Sequence, residues 1–161
     1  MLKAVPVSFF SWDFRVFEGD REVAAMDLAL WREKAALTVE GLPYRVSREG
    51  LAHGAFLLED GAGRVVARAE KPNALRRSFV VEHGGRRFRL EAWTPFGRAF
   101  VLRDDRNVVG TVKPDNFITR RSTAELPEDL PLAVRAFLLW LVFILWRRDA
   151  ATDAGGGASA A

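Results

Sequence analysis

The sequence predicts a mainly β protein: a closed antiparallel barrel of about twelve strands enclosing a hydrophobic C-terminal α-helix. Two observations lead there. Most of the chain is short runs rich in Val, Phe and Leu, separated by Gly, Asp and Asn, which is the pattern of strands and turns. Near the C-terminus one segment is apolar on every side: residues 136–146 contain no polar side chain. A helix with no polar face must be surrounded all round, by protein or by lipid. The economical way for many strands and one such helix to share a chain is a barrel threaded by the helix.

Candidate strands fall at 4–10, 12–18, 22–31, 35–40, 43–48, 55–60, 64–70, 77–82, 86–93, 98–103, 108–113 and 117–122. Residues 22–34 are open to a helical reading by propensity. One hairpin can be registered on paper. Gly84-Gly85 suits a two-residue turn with positive φ angles. It opposes Val81 to Phe88 and Phe79 to Leu90 on an apolar face, and Glu82 to Arg87, Val80 to Arg89 and Ser78 to Glu91 on a mostly polar one. Residues 55–78 and 99–122 form an internal repeat offset by 44: Ala-Phe-Leu-Leu-Glu-Asp against Ala-Phe-Val-Leu-Arg-Asp, each followed by Val-Val, Lys-Pro and Arg-Arg-Ser. Two copies mark equivalent corners of one closed sheet.

The helix is expected to begin after Asp129, which can cap it, with Pro131 tolerated in the first turn. Arg147 and Arg148 suit the negative end of its dipole. Residues 132–146 span about 22 Å at about 1.5 Å per residue, short of a bilayer core of about 30 Å. Enclosure by the chain's own strands is the expectation; a C-terminal membrane anchor is the alternative. Residues 1–148 then form one barrel-plus-helix domain, and 149–161 a small-residue tail expected to be disordered.

The chain of 161 residues has 24 basic and 21 acidic side chains, a formal net charge of +3. That excess is too small to make a strong nucleic-acid field by itself. Four of the basic residues are lysine and twenty arginine. The absence of cysteine excludes disulfides, thiol nucleophiles and thiolate metal sites. The two histidines, His53 and His83, sit in loop and hairpin contexts and leave little for a metal cluster or a catalytic triad. Gly61-Ala62-Gly63 lacks the strand-turn-helix setting of a nucleotide fingerprint. Asp104-Asp105-Arg106-Asn107 reads as a hairpin turn. No catalytic residue, metal or cofactor is expected, and the first ten residues make a poor signal peptide, so a cytoplasmic protein is the default.

The order of parts resembles the superfamily that joins Tubby C-terminal domains, phospholipid scramblases and LURP-one-related proteins. The residues carrying the resemblance are Thr38-Val-Glu-Gly before Tyr44-Arg-Val, then Phe56-Leu-Leu-Glu-Asp-Gly, then Phe79-Val-Val-Glu with Phe88-Arg-Leu. Phe100-Val-Leu-Arg, Val109-Gly110 and Leu126-Pro follow, ahead of the apolar helix through Trp146. The resemblance implies a twelve-stranded barrel around a central helix, and a non-enzymatic domain that binds anionic phospholipid head groups at a membrane surface. Calcium-activated scrambling is not implied, because the acidic loop and cysteine cluster it would need are missing.

The candidate anion site is the pair of repeated basic corners: Lys71, Arg76 and Arg77, and Lys113, Arg120 and Arg121. Arginine forks match phosphate oxygens, and equivalent barrel edges could present both sets to lipid head groups. The plainer reading has each Lys-Pro ending a strand and the arginines solvated. Binding to a nucleic-acid phosphate backbone is a further alternative, disfavoured by the low net charge.

Overall fold

The computed structural model describes residues 1–9, 11–28, 34–50, 54–72, 76–116 and 119–155. Twelve strands precede one helix: β1 (Leu2–Pro6), β2 (Phe14–Glu18), β3 (Arg21–Leu28), β4 (Ala35–Val39), β5 (Leu42–Arg48) and β6 (Phe56–Asp60). Then come β7 (Val65–Glu70), β8 (Ser78–His83), β9 (Arg86–Ala92), β10 (Phe100–Asp104), β11 (Asn107–Pro114), β12 (Ser122–Glu125) and α1 (Leu132–Gly155). Each strand pairs antiparallel with its neighbours in sequence, and β1 closes the barrel against β12 through Leu2↔Ala124, Lys3↔Thr123 and Ala4↔Ser122. The sheet therefore has no free edge to cover.

The strands alternate as a one-sided sheet must. Ala35, Leu37 and Val39 of β4 are buried while Ala36 and Thr38 are exposed. The hairpin registered on paper forms as expected: Val81 faces Phe88 and Phe79 faces Leu90, all buried, and Glu82 pairs with Arg87 at 2.8 Å. Gly84 and Gly85 take φ of 56° and 76°, a turn that side chains with a Cβ rarely adopt. Ser78, assigned to the polar face, is buried instead.

The helix fills the barrel. Every residue from 136 to 146 is at most 3% exposed. Its contacts come from strands far apart around the sheet: Phe143 stacks on Phe14 of β2, and Trp140 meets the Phe56 ring of β6 edge-on at 5.0 Å. Trp146 Nε1 donates to the Arg98 carbonyl between β9 and β10 at 3.0 Å. Strands of four to eight residues reach about 13–26 Å, a range that brackets the roughly 21 Å of helix from 133 to 146. The anchor alternative loses its premise, because its apolar segment is already covered by strands. Among the described residues no helix is long and apolar enough to cross a membrane.

Several boundaries differ from expectation for local reasons. Segment 22–34 is extended over Arg21–Leu28, because alternation puts Val23, Ala24, Met26 and Leu28 into the core; residues 29–33 lie outside the described residues. The first strand is Leu2–Pro6 rather than 4–10, since Val7 N–H turns to the Asp13 carbonyl at 2.8 Å. The last strand is Ser122–Glu125, so that of the expected 117–122 only Ser122 among the described residues is in it; residues 117–118 lie outside the described residues. Asn116 Oδ1 accepts from both the Thr119 amide and its hydroxyl, which bends the chain there.

Asp129 does not cap the helix. The Pro131 carbonyl accepts from the Val134 and Arg135 amides, while Asp129 pairs with Arg86 at 2.5 Å. Arg147 and Arg148 do not end the helix either. It continues to Gly155 through Ala150, Ala151 and Ala154, good helix formers, with Thr152 Oγ1 donating to the Arg148 carbonyl at 3.0 Å. The helix thus passes the boundary expected at 148; residues 156–161 lie outside the described residues.

The internal repeat has three copies in space. Phe14, Phe56 and Phe100 open β2, β6 and β10, four strands apart in a ring of twelve, and all three are buried. Two residues beyond each, the register shifts by a bulge, at Val16/Phe17, Leu58/Glu59 and Leu102/Arg103. The barrel has an approximate threefold axis along the helix.

Candidate functional site

The two ends of the barrel differ. At one end the strands join through two-residue turns at 19–20, 40–41, 84–85 and 105–106 and a four-residue turn at 61–64. At the other, six connections of six or seven residues run 7–13, 29–34, 49–55, 71–77, 93–99 and 115–121. Binding groups concentrate on loops held by a rigid scaffold, so the long-loop end is where a site is expected. Charge separates the ends as well. Among the described residues, the short turns and helix approach carry Asp20, Glu40, Asp105, Glu128 and Asp129 against Arg64 and Arg106. The long loops carry Lys34, Lys71, Arg76, Arg77, Arg98, Arg120 and Arg121 against Asp13, Glu49 and Asp115.

An open cleft of about 1120 Å³ lies at the long-loop end, where α1 emerges. Among the described residues, four guanidinium groups line it, Arg77, Arg98, Arg120 and Arg121, with one carboxylate, Asp149 of the helix. Phe9, Trp12, Phe96 and Trp146 supply aromatic wall.

Each arginine is held differently. Arg77 is the structural tie: its Nη1 donates to the Gly97 carbonyl at 2.8 Å, its Nη2 pairs with Asp149 at 2.7 Å, and its guanidinium lies 5.3 Å from the Phe100 ring centroid. It joins the 71–77 loop, the 93–99 loop and the helix. Arg98 stacks over the Trp146 ring at 5.1 Å. Arg120 stacks over Trp12 at 4.7 Å and donates through Nη2 to the Phe9 carbonyl. Burial pushes the Arg120 pKa down, yet a guanidinium keeps its proton throughout the ordinary pH range. Arg121 is exposed, and its guanidinium makes no hydrogen bond or ion pair among the described residues. Stacking a guanidinium on an aromatic face leaves its N–H edge for a forked bond to phosphate or carboxylate.

Of the six residues singled out in the sequence, three converge here: Arg77, Arg120 and Arg121. The other three do not line the cleft. Arg76 is exposed beside Arg77, Lys71 is half-buried at the start of the same loop, and Lys113 extends over the Trp93 ring at 5.8 Å. The two corners sit at equivalent places, β7–β8 and β11–β12, one third of the circumference apart. Sequence reasoning misses Arg98, Phe9, Phe96 and Asp149, which come to the cleft from loops and a helix distant in sequence. Only the Phe-Phe and Trp-Thr-Pro-Phe-Gly runs, apolar residues outside any strand alternation, hint at them.

The remaining candidates resolve plainly. His83 Nδ1 lies 2.8 Å from the Val66 carbonyl, a neighbouring-strand contact; His53 lies outside the described residues. Among the described residues no group of three His, Asp or Glu could hold a metal. Asp105 takes φ 52° in the β10–β11 turn, and Gly61 to Gly63 form the β6–β7 turn. Comparison with protein-family models, curated proteins and solved structures finds no match to this chain.

Proposed function

We propose that the protein is a non-enzymatic binding module of the Tubby and LURP-one-like kind, taking phosphate groups of anionic phospholipids at its long-loop end as a peripheral membrane protein. One observation carries this reading: among the described residues, four guanidinium groups and one carboxylate line an open, aromatic-walled cleft. Arginine on an aromatic platform is suited to a phosphodiester or phosphomonoester, and each cation near an anionic surface contributes about 1 kcal/mol. The opposite polarity of the short-turn end gives the molecule a preferred orientation toward a negative surface.

Vesicle sedimentation tests it. Binding to phosphatidylcholine vesicles containing phosphatidylserine, weakened by salt, and its loss on phosphatidylcholine alone is the expected result. Arg121→Ala, which removes a guanidinium with no structural bond, should weaken binding about fivefold without moving the unfolding midpoint. Equal binding to neutral and anionic vesicles would overturn the proposal, and preference for a duplex oligonucleotide would move it to a nucleic-acid backbone.

A further inference from the structure

Two large aromatic side chains are largely exposed at the rim of the arginine cleft. Phe96 is 97% exposed and Phe9 is 71% exposed. Neither hangs on a loose tip. The 93–99 loop is closed by the Trp93 amide on the Ala99 carbonyl at 2.9 Å and the Gly97 amide on the Thr94 carbonyl at 3.2 Å, with Arg77 bracing Gly97. The 7–13 loop is closed by the Val7 amide on the Asp13 carbonyl at 2.8 Å. Asp13 in turn accepts from the Leu28 amide at 3.2 Å. These hydrogen bonds hold both rings outward, whereas seven other described phenylalanines are buried in the core and Phe17 is half-buried.

An exposed apolar cluster bordered by cations marks an interaction surface of matching chemistry. We infer that the protein stands on an anionic bilayer with its long-loop end down, Phe9 and Phe96 inserted beneath the head groups and Arg120 and Arg121 level with the phosphates. This rests on the anionic-lipid reading above and adds the face, the depth and the anchors. Trp93, 58% exposed on the same loop, falls at the interface, where an amphipathic indole is most stable. The apolar residues exposed near the opposite end, Leu42, Val65, Val108 and Val109, are smaller and lie beside Glu40, Asp60 and Asp105, which an anionic surface repels.

The chain has no cysteine, so one introduced thiol can be labelled uniquely. Phe96→Cys and, at a turn of the other end, Ala62→Cys are each coupled to a polarity-sensitive fluorophore. They are mixed with phosphatidylcholine–phosphatidylserine vesicles containing acyl-chain nitroxide lipid. The label at 96 should shift to the blue and be quenched; the label at 62 should do neither. Unlabelled Phe96→Ser should partition about tenfold more weakly onto anionic vesicles, a loss larger than any it shows for soluble inositol hexakisphosphate. Sedimentation with an unquenched label at 96, equal quenching at 62, or equal loss of the soluble anion in Phe96→Ser overturns the insertion alone. Failure of the unmodified protein to sediment with anionic vesicles overturns the lipid reading along with it.

Discussion

Phe143 of the helix lies face to face with Phe14 of the second strand, ring centroids 4.0 Å apart and planes 18° from parallel. Strand and helix are 129 residues apart in sequence, and this contact is one of several by which the sheet solvates the helix. Phe143→Ala removes a fully buried ring and leaves a cavity between two rigid elements. The expected cost is about 3–5 kcal/mol, read as a lower denaturant midpoint with an unchanged slope.

Trp140 behaves differently. It is fully buried, yet its Nε1–H has no hydrogen-bond partner among the described residues. An unpaired buried donor costs about 1–3 kcal/mol, which offsets much of what the larger ring contributes by packing. Trp140→Phe is therefore expected to change stability by less than about 1.5 kcal/mol, well below the cost of Trp140→Ala; chemical denaturation of both variants separates the two contributions.

Asp149 competes for the cleft. It is the carboxylate that neutralises Arg77, at 2.7 Å, and it belongs to the stretch of helix outside the barrel. Asp149→Asn should raise affinity for anionic vesicles about fivefold, the order of 1 kcal/mol between charges about 4 Å apart in water. Sedimentation at low and moderate salt checks this, and the gain should shrink as salt rises.

Acid sensitivity has a local source between β5 and β6. The Ser47 hydroxyl, 2.8 Å away, and then the charge of Arg45 hold the Glu59 carboxyl below the usual carboxylate range. Because its pKa is lower folded than unfolded, its contribution is complete above the unfolded value and disappears as pH falls through the folded one. Glu59→Gln should thus be less stable than wild type at neutral pH, by at most about 1 kcal/mol, with the gap closing below about pH 4. Denaturation curves across that range measure it.

The architecture is legible in the sequence wherever the signal is local. Gly84-Gly85 and the alternation around it specify the register of β8 and β9 residue by residue. The unbroken apolar run at 136–146 demands enclosure, and its brevity points to protein over lipid. Termini and bends are less legible. Asp129 reads as a cap, but a spatially adjacent Arg86 takes its charge. Asn116 bends the chain through its side chain, which strand propensity does not register. The third repeat is hidden because only Phe14, an apolar inward Val16 and an acidic Glu18 persist in Asp13-Phe14-Arg15-Val16-Phe17-Glu18. The cleft is half legible. Repetition picks out Arg77, Arg120 and Arg121, whereas Arg98, Phe96 and Asp149 join them only once the barrel closes and the helix passes through it.

Amide hydrogen exchange, measured without detergent across a denaturant series, tests the enclosed helix most directly. The amides of 136–146 should exchange only through global unfolding, with the same free energy and denaturant dependence as the slowest amides of β1 and β12 at the barrel seam. Exchange of the helix through a cheaper opening that leaves the strand amides protected would show that the strands do not sheathe it, and the barrel account would be wrong.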